Sequence, residues 1–296
     1  MPELPEVETV KRGLSKLLPG LKITAVTHDT PKSFPNAEDD VQQSLIGAKI
    51  MEVKRRAKVL LIELDTKHSL VIHLKMTGQM VFRGEQNFGA GHPNDSLIGE
   101  LPDKSTRVTF EFNNGAKLFF NDQRKFGWAR LIPTAEVPNI DFFKKVGPEP
   151  LSEAFTAKDF RERLLKRPGS NIKAVLLDQT IVAGVGNIYA DESLWGAKIH
   201  PTTLVKNLSV KQTNKLFEEL QYVLNLAIEK GGSSDKNYVN AEGKRGSYLS
   251  FARVFRREGK DCPRCGTEII KTRAAGRGTH LCPHCQPLPK NTKPVA

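Results

Sequence analysis

Cysteine is absent from the first 261 residues of this chain, and all four cysteines fall between positions 262 and 285. A disulfide framework for the bulk of the protein is thereby excluded. Long apolar runs are missing as well: VLLIEL and AVLL are broken by charges within a few residues, far short of a membrane span. The start has no cationic stretch leading into an apolar core, so it is not a secretory signal. No internal repeat is apparent. No basic helix carries the strong apolar face of a membrane-surface protein.

What is present is basic. The 296 residues carry a formal net charge of +12, with 39% apolar and 26% charged residues. Those proportions belong to a soluble globular protein with material for two domains. The positive excess favours a polyanionic partner, nucleic acid first and an anionic membrane second. It is concentrated in KRRAK at 54–58, KR at 166–167, KR at 244–245 and RREGK at 256–260. One such run usually marks a solvated face, but several on one chain favour binding.

The cysteines form two CxxC pairs, Cys262 with Cys265 and Cys282 with Cys285, sixteen residues apart. Four thiolates so spaced can close a tetrahedral site around one Zn2+. Two disulfides are the alternative, without other signs of an oxidising compartment. A redox CxxC belongs at a helix start in a βαβ unit, which this tail lacks. A closed site holds no water to activate, so the metal is structural, and His284 is left outside it. TEIIKTR and THLC read as short strands around an AAGRG turn, and Arg277 between two glycines projects from the stiffened tip toward a phosphate or base.

Residues 20–130 read mainly as strands. LVIHLKM at 70–76 alternates, KVLLIEL at 58–64 is a strand beginning at Lys58, and RVTFEF-NNG-AKLFF is a hairpin with Val108, Phe110, Phe112, Leu118 and Phe120 on one face. Residues 83–106, rich in Gly, Pro, Asn and Asp, read as an irregular or mobile loop, and 137–150 as a connection. From 151 to about 231 the periodicity is helical. Within it, TIVAGVGN leads two glycines into a helix start near Asn187, a place where free amides suit a phosphate, although an ordinary tight turn is the plainer reading.

The opening MPELPEVETV reads as a helix start, with Pro5 in the first turn and Glu6 and Glu8 at the positive helix end. That leaves Pro2 and Glu3 without a purpose. MPELPEVE, RRAK ending in Lys58, HLKMTG, QRKFG, GPEPL, AGVGNIYADE and GRGTHLCPHCQ follow one another along the chain, and as a set they resemble the formamidopyrimidine-DNA glycosylases, bacterial repair enzymes for oxidised purines. The resemblance implies an α+β fold: an N-terminal helix plus β-sandwich over 1–136, a linker over 137–150, a helical domain with a helix–two-turn–helix element over 151–250, and a C-terminal zinc-ribbon finger over 251–296. It implies one structural Zn2+ and a partner that is double-stranded DNA containing an oxidised base or an abasic site. A monomer suffices for that grip, and the cytoplasm beside a bacterial chromosome is the expected location.

The resemblance also gives the first residues work. In the family the initiator methionine is removed and the secondary amine of the N-terminal proline, here Pro2, attacks the sugar C1′, displaces the damaged base and leaves an iminium. Glu3 would be the general acid at the sugar ring oxygen, with Glu6 assisting by electrostatics or by holding the helix start. Lys58 matches the lysine of β-elimination, and Arg277 the finger arginine that clamps a phosphate and supports δ-elimination. Lys173, Asn187, His73, Arg167 and Tyr248 match further DNA contacts. Met76, Arg124 and Phe126 match the side chains that fill the stack once a base is everted, and they point to the purine-directed branch. Residues 233–248 align with the loop that closes over that base. One departure stands out: where many members carry His-x-His, this chain has Ser105-Thr106-Arg107, so Ser105 offers at most a neutral hydrogen bond. A non-catalytic DNA-binding protein of the same fold is the competing reading, and Pro2, Glu3 and Lys58 speak against it.

Overall fold

The computed structural model describes residues 2–233 and 248–289, so most of the 233–248 loop expected to close over the base lies outside the described residues. The described chain divides into two compact units, residues 2–144 with 228–233, and residues 145–227 with 248–289.

The first unit begins with α1 (Leu4–Leu17), β1 (Ile23–His28) and α2 (Glu38–Ser44). Eight strands follow: β2 (Ile50–Arg56), β3 (Val59–Leu64), β4 (His68–His73), β5 (Gly78–Arg83), β6 (Phe88–Gly91), β7 (Thr106–Phe112), β8 (Lys117–Asp122) and β9 (Trp128–Pro133), before the short α3 (Asp141–Lys145). They form two antiparallel sheets, β1-β7-β8-β5-β6 and β2-β3-β4-β9. Alternate residues of both sheets meet in one core: Leu60, Ile62 and Ile72 from one, Phe110, Leu118 and Phe120 from the other, with Val7, Val10 and Leu14 of α1 added. Each large apolar side chain so buried contributes about 1.5–3 kcal/mol. The β7–β8 hairpin turns at the expected Asn-Gly, with Val108 opposite Phe120 and Phe110 opposite Leu118. Helix α1 packs against β2 and β6. Gly13 makes that approach possible, since a Cβ there would sit 2.2 Å from the Phe88 ring.

Two expectations are corrected. β4 does not alternate between core and solvent, because it is the inner neighbour of β3 and β9 and both its faces are covered: Leu70 and Ile72 enter the main core, while Val71 packs with Val59 and Val137. The 83–106 stretch is not simply irregular. It contains β6, which pairs with β5, and its polar turns are pinned by Gln79 donating to Asn94 and by Ser96 donating to Asp103. Composition registered the turns and missed the two buried side chains, Phe88 and Ala90, that anchor the strand.

The second unit holds α4 (Ala157–Leu164), α5 (Ile172–Leu177), α6 (Asn187–Gly196), α7 (Val210–Glu229), the single turn α8 (Tyr248–Phe251), and the hairpin β10 (Ile270–Ala274) and β11 (Arg277–Leu281). Helix starts are marked by side chains that accept orphan N–H groups: Thr156 with Asp159 in a capping box at α4, and Asn171 at α5. Phe160, Leu176, Leu194, Leu216, Leu220 and Leu224 form its core. Helix α6 is buried from Tyr189 to Gly196, so it is the central helix around which the others are laid.

Candidate functional site and metal centre

At the start of α1, Pro2 and Glu3 are buried. Glu3 occupies the N-cap position, and the cap is reciprocal: its carboxylate accepts the Glu6 N–H, while Glu6 Oε2 accepts the Glu3 N–H at 2.9 Å. Two glutamates thus do what a Ser–Glu capping box usually does, and they lock the backbone next to Pro2. The other oxygen of Glu6 accepts the backbone N–H and the hydroxyl of Ser233, each at 2.8 Å. Glu6 therefore ties the helix start to the segment that precedes the 234–247 stretch.

Lys58 is not the first strand residue but the second residue of the tight Ala57–Lys58 turn between β2 and β3, with Ala57 in the left-handed region. Lys58 is 7% exposed. The register Val59 opposite His73 brings Lys58 and His73 to one end of the sheet. Burial, with Lys75 and Lys58 nearby, pushes the His73 imidazole down to about 3. It is neutral near pH 7, and its Nδ1 accepts the Lys75 N–H at 3.0 Å. A DNA contact at His73 would thus be made by a neutral imidazole, with its Nε2–H to offer.

Met76, Arg124 and Phe126 converge. Arg124 Nη1 lies 3.0 Å from the Met76 sulfur, and its guanidinium stands 4.7 Å over the Phe126 ring, which is 48% exposed. Two turns supply them, β4–β5 and β8–β9. Asp122, which sequence reasoning passed over, joins those turns from beneath. Its carboxylate accepts the Thr77 hydroxyl and the N–H groups of Arg124 (3.2 Å), Phe126 (2.8 Å) and Gly127 (2.7 Å). Ser105 is a correction. It is 2% exposed, and its hydroxyl donates to Asp103 at 2.7 Å. Arg107 is buried too, donating to Asp29 and to the carbonyls of Ser105 and Asp122. The segment that replaces His-x-His has turned inward.

In the second unit, β10 and β11 are joined by Ala275 and Gly276, both at positive φ (53° and 69°), and exposed Arg277 opens β11 opposite Ala274. Behind this tip lies a polar network. Lys173, with no solvent exposure, is 2.7 Å from Asp191, and it donates to Thr279 Oγ1 at 2.6 Å and to the Gly278 carbonyl at 3.2 Å. Thr279 in turn donates to the Arg277 carbonyl at 3.0 Å, and Asp191 accepts the His280 N–H at 2.9 Å. Asn187 Nδ2 also reaches the Gly278 carbonyl, at 3.0 Å. A direct Lys173–phosphate contact is therefore corrected: its ammonium is used up inside, holding the hairpin. Tyr248 is corrected likewise, since it is 1% exposed, its ring 5.3 Å from Tyr189 in the helical core. Arg167 is exposed, 3.8 Å from Asp178. Asp191 and Thr279 were missed in the sequence; the available signal was Asp191 four residues after Asn187, on the same face of a helix.

Cys262, Cys265, Cys282 and Cys285 gather with all four sulfurs within 4.8 Å of one another. Sulfur separations of 3.5, 3.5 and 3.9 Å match the roughly 3.8 Å edge of a tetrahedron with zinc–sulfur bonds near 2.3 Å, and are far from the ~2.05 Å of a disulfide. Burial and the neighbouring thiols push Cys285 up to about 12, so four thiolates need a dication to coexist. The cysteines fit one structural Zn2+.

A surface cluster of Met76, Arg124 and Phe126 on a β-sandwich, a capped chain start at Glu3, and an arginine-tipped hairpin flanked by four clustered cysteines define the class: a zinc-finger protein of mixed α and β structure. Residues 1–129 match the family described as Formamidopyrimidine-DNA glycosylase N-terminal domain, 146–238 match Formamidopyrimidine-DNA glycosylase H2TH domain, and 259–288 match Zinc finger found in FPG and IleRS. The chain is 41% identical to the formamidopyrimidine-DNA glycosylase of Pelotomaculum thermopropionicum (97% of this chain, 99% of that one) and 43% identical to that of Streptococcus pyogenes serotype M3 (97% and 98%). Among solved structures it resembles Lactococcus lactis Fpg in complex with abasic-site DNA, with a TM-score of 0.85, 38% identity and coverage of 97% and 100%. It also resembles the MutM (FPG) protein of Thermus thermophilus, with a TM-score of 0.82, 38% identity and coverage of 96% and 98%. The chain belongs to the formamidopyrimidine-DNA glycosylase family. Among the described residues, no helix is long and apolar enough to cross a membrane.

Proposed function

We propose that this chain is a base-excision repair enzyme that removes oxidised purines, 8-oxoguanine and formamidopyrimidines, from duplex DNA and then cleaves the abasic strand. With Met1 removed, the Pro2 nitrogen attacks C1′ and displaces the base, giving up its N–H proton, and the C1′–O4′ bond then opens as the Glu3 carboxyl protonates the ring oxygen. The resulting iminium has no N–H proton to lose, so it remains an electron sink and acidifies the C2′ proton. Loss of that proton expels the 3′ phosphate, and a second elimination expels the 5′ phosphate. Lys58 serves the first elimination, and Arg277 holds the phosphate of the second. Met76, Arg124 and Phe126 fill the space left by the everted nucleotide. The Zn2+ carries no reaction step; it stiffens the hairpin beneath Arg277. Arg167 and Asn187 add backbone contacts. Acting on chromosomal DNA places the enzyme in the bacterial cytoplasm.

The observation that carries this reading is the buried Pro2 set directly before a Glu3–Glu6 cap, because a protein that only binds DNA gains nothing from a secondary amine fixed beside a carboxylate. Borohydride trapping on a duplex with 8-oxoguanine opposite cytosine tests it. Wild type should crosslink through the proline nitrogen, as read by mass spectrometry of the digest, and Pro2→Gly should lose most of the crosslink. Tight binding with neither crosslink nor strand cleavage on any oxidised base would leave only the DNA-binding reading.

A further inference from the structure

We propose that Asp122 is a positioning residue for base eversion: its carboxylate holds the turn bearing Met76 and the turn bearing Arg124 and Phe126 as one wedge. The proposal rests on the repair reading above. Asp122 has no solvent exposure, and among the described residues it has no ion-pair partner. A carboxylate so placed costs several kcal/mol unless its lone pairs are filled, and here every donor is supplied by the two turns. Thr77, from β4–β5, gives its hydroxyl; Arg124, Phe126 and Gly127, from β8–β9, give their peptide N–H groups. Thr77 Oγ1 also accepts the Arg124 N–H at 3.0 Å, so the turns are cross-linked twice.

The backbone needs such a tie. Each turn contains a lysine in the left-handed region, Lys75 at φ 51° and Lys125 at φ 56°. That conformation costs roughly 1–2 kcal/mol for a side chain with a Cβ. Gly127 is required where it stands, because a Cβ would lie 2.6 Å from the Phe120 ring and 3.1 Å from Asp122 Oδ2. Above this base, Arg124 contacts Met76 and Phe126, and all three face solvent at least in part. Their position is therefore set by the turn backbones, and the turn backbones by Asp122. A wedge that must enter a base stack gains from being preorganised, because ordering each side chain during insertion would cost about 0.5–1.5 kcal/mol.

The test compares two substrates. Asp122→Asn keeps the shape but removes one acceptor oxygen and the charge; Thr77→Val removes only the bridging hydroxyl. On a duplex with 8-oxoguanine opposite cytosine, single-turnover excision should fall about tenfold for Asp122→Asn and about threefold for Thr77→Val. On the same duplex with a preformed abasic site, where eversion needs little unstacking, strand cleavage should stay within about twofold of wild type. A 2-aminopurine beside the lesion should brighten more slowly in both variants. Equal losses on the two substrates, or none, would overturn the assignment, and Thr77→Val decides the matter if Asp122→Asn does not fold. If wild type itself cleaves neither duplex, it is the repair reading that fails, and this inference with it.

Discussion

The wedge of the first unit and the arginine hairpin of the second are built alike and secured differently. In each, an exposed cation stands at a turn between two strands, a crossover between sheets in the first unit and a hairpin in the second, and an ion with no solvent exposure holds the backbone behind it. Behind Arg124 that ion is Asp122, surrounded by peptide N–H groups and one hydroxyl. Behind Arg277 it is Lys173, which has a counter-ion, Asp191, at 2.7 Å. The difference teaches what each tip can tolerate. A buried ion pair can often be exchanged whole for apolar residues without loss of stability. A carboxylate that caps three N–H groups cannot, because any apolar replacement strands donors at about 1–3 kcal/mol each.

The largest break between the two regions is expected from removing the metal. Structural zinc of this type contributes on the order of 10 kcal/mol to the fold it closes. Chelation should therefore lower affinity for lesion duplex more than about 100-fold, by fluorescence anisotropy. The β-sandwich should be untouched, as read from Trp128 in a Trp195→Phe background. Full affinity in the metal-free protein would show that the hairpin stands without it.

Next in size is the ion pair itself. Lys173→Met leaves Asp191 buried without its partner and should cost about 3–5 kcal/mol in urea unfolding of the second unit. Adding Asp191→Leu should recover most of that stability yet leave δ-elimination impaired, since Thr279 and Gly278 remain without the ammonium that held them. Recovery of δ-elimination along with stability would mean the network serves folding alone. No second substitution should rescue Asp122→Leu in the same way.

The sequence showed the site better than it showed what holds the site. Four cysteines at CxxC spacing have few other uses, whereas Pro2, Glu3, Lys58 and the wedge residues take their roles only from the resemblance to the family, since spacing alone left Pro2 and Glu3 without a purpose. Lys173 misleads for a physical reason: the resemblance offers it as a phosphate contact, but sequence gives charge and not burial, and the structure places Asp191 against it. Ser105 and Tyr248 are turned inward, beyond reach of the same kind of reading. β6 was hidden because two apolar residues, Phe88 and Ala90, decide its fate within a stretch dominated by turn formers. Asp122 was invisible since most of its partners are main-chain groups, which no side-chain pattern reveals.

Acid should separate the two units by a smaller amount. His73 is held neutral in the folded first unit, down to about 3 against an ordinary 6.5, by burial and by Lys75 and Lys58. Above pH 6.5 the imidazole is neutral in both states and indifferent. As pH falls below 6.5 the unfolded chain takes up a proton that the folded chain refuses, so stability is lost at about 1.4 kcal/mol per pH unit until pH nears 3. Between pH 7 and pH 5 the first unit should lose about 2 kcal/mol from this group. His73→Asn, which keeps an acceptor for the Lys75 N–H, should flatten that slope. An unchanged slope would place the acid sensitivity elsewhere.

The smallest expected effect is the most local. Thr279 accepts from Lys173 and donates to the Arg277 carbonyl, so it is the last link between the buried ion and the exposed guanidinium. Thr279→Val keeps the shape and removes both bonds, while Lys173 retains Asp191 and the Gly278 carbonyl. The cost to stability should be about 1 kcal/mol. Because only the seat of Arg277 is loosened, base excision and β-elimination should stay near wild type while the δ-elimination rate falls about fivefold, which gel analysis reads as a build-up of the β product. A uniform slowing of all three steps would mean that the hydroxyl supports DNA binding in general, and the likeness between the two tips would then stop at their geometry.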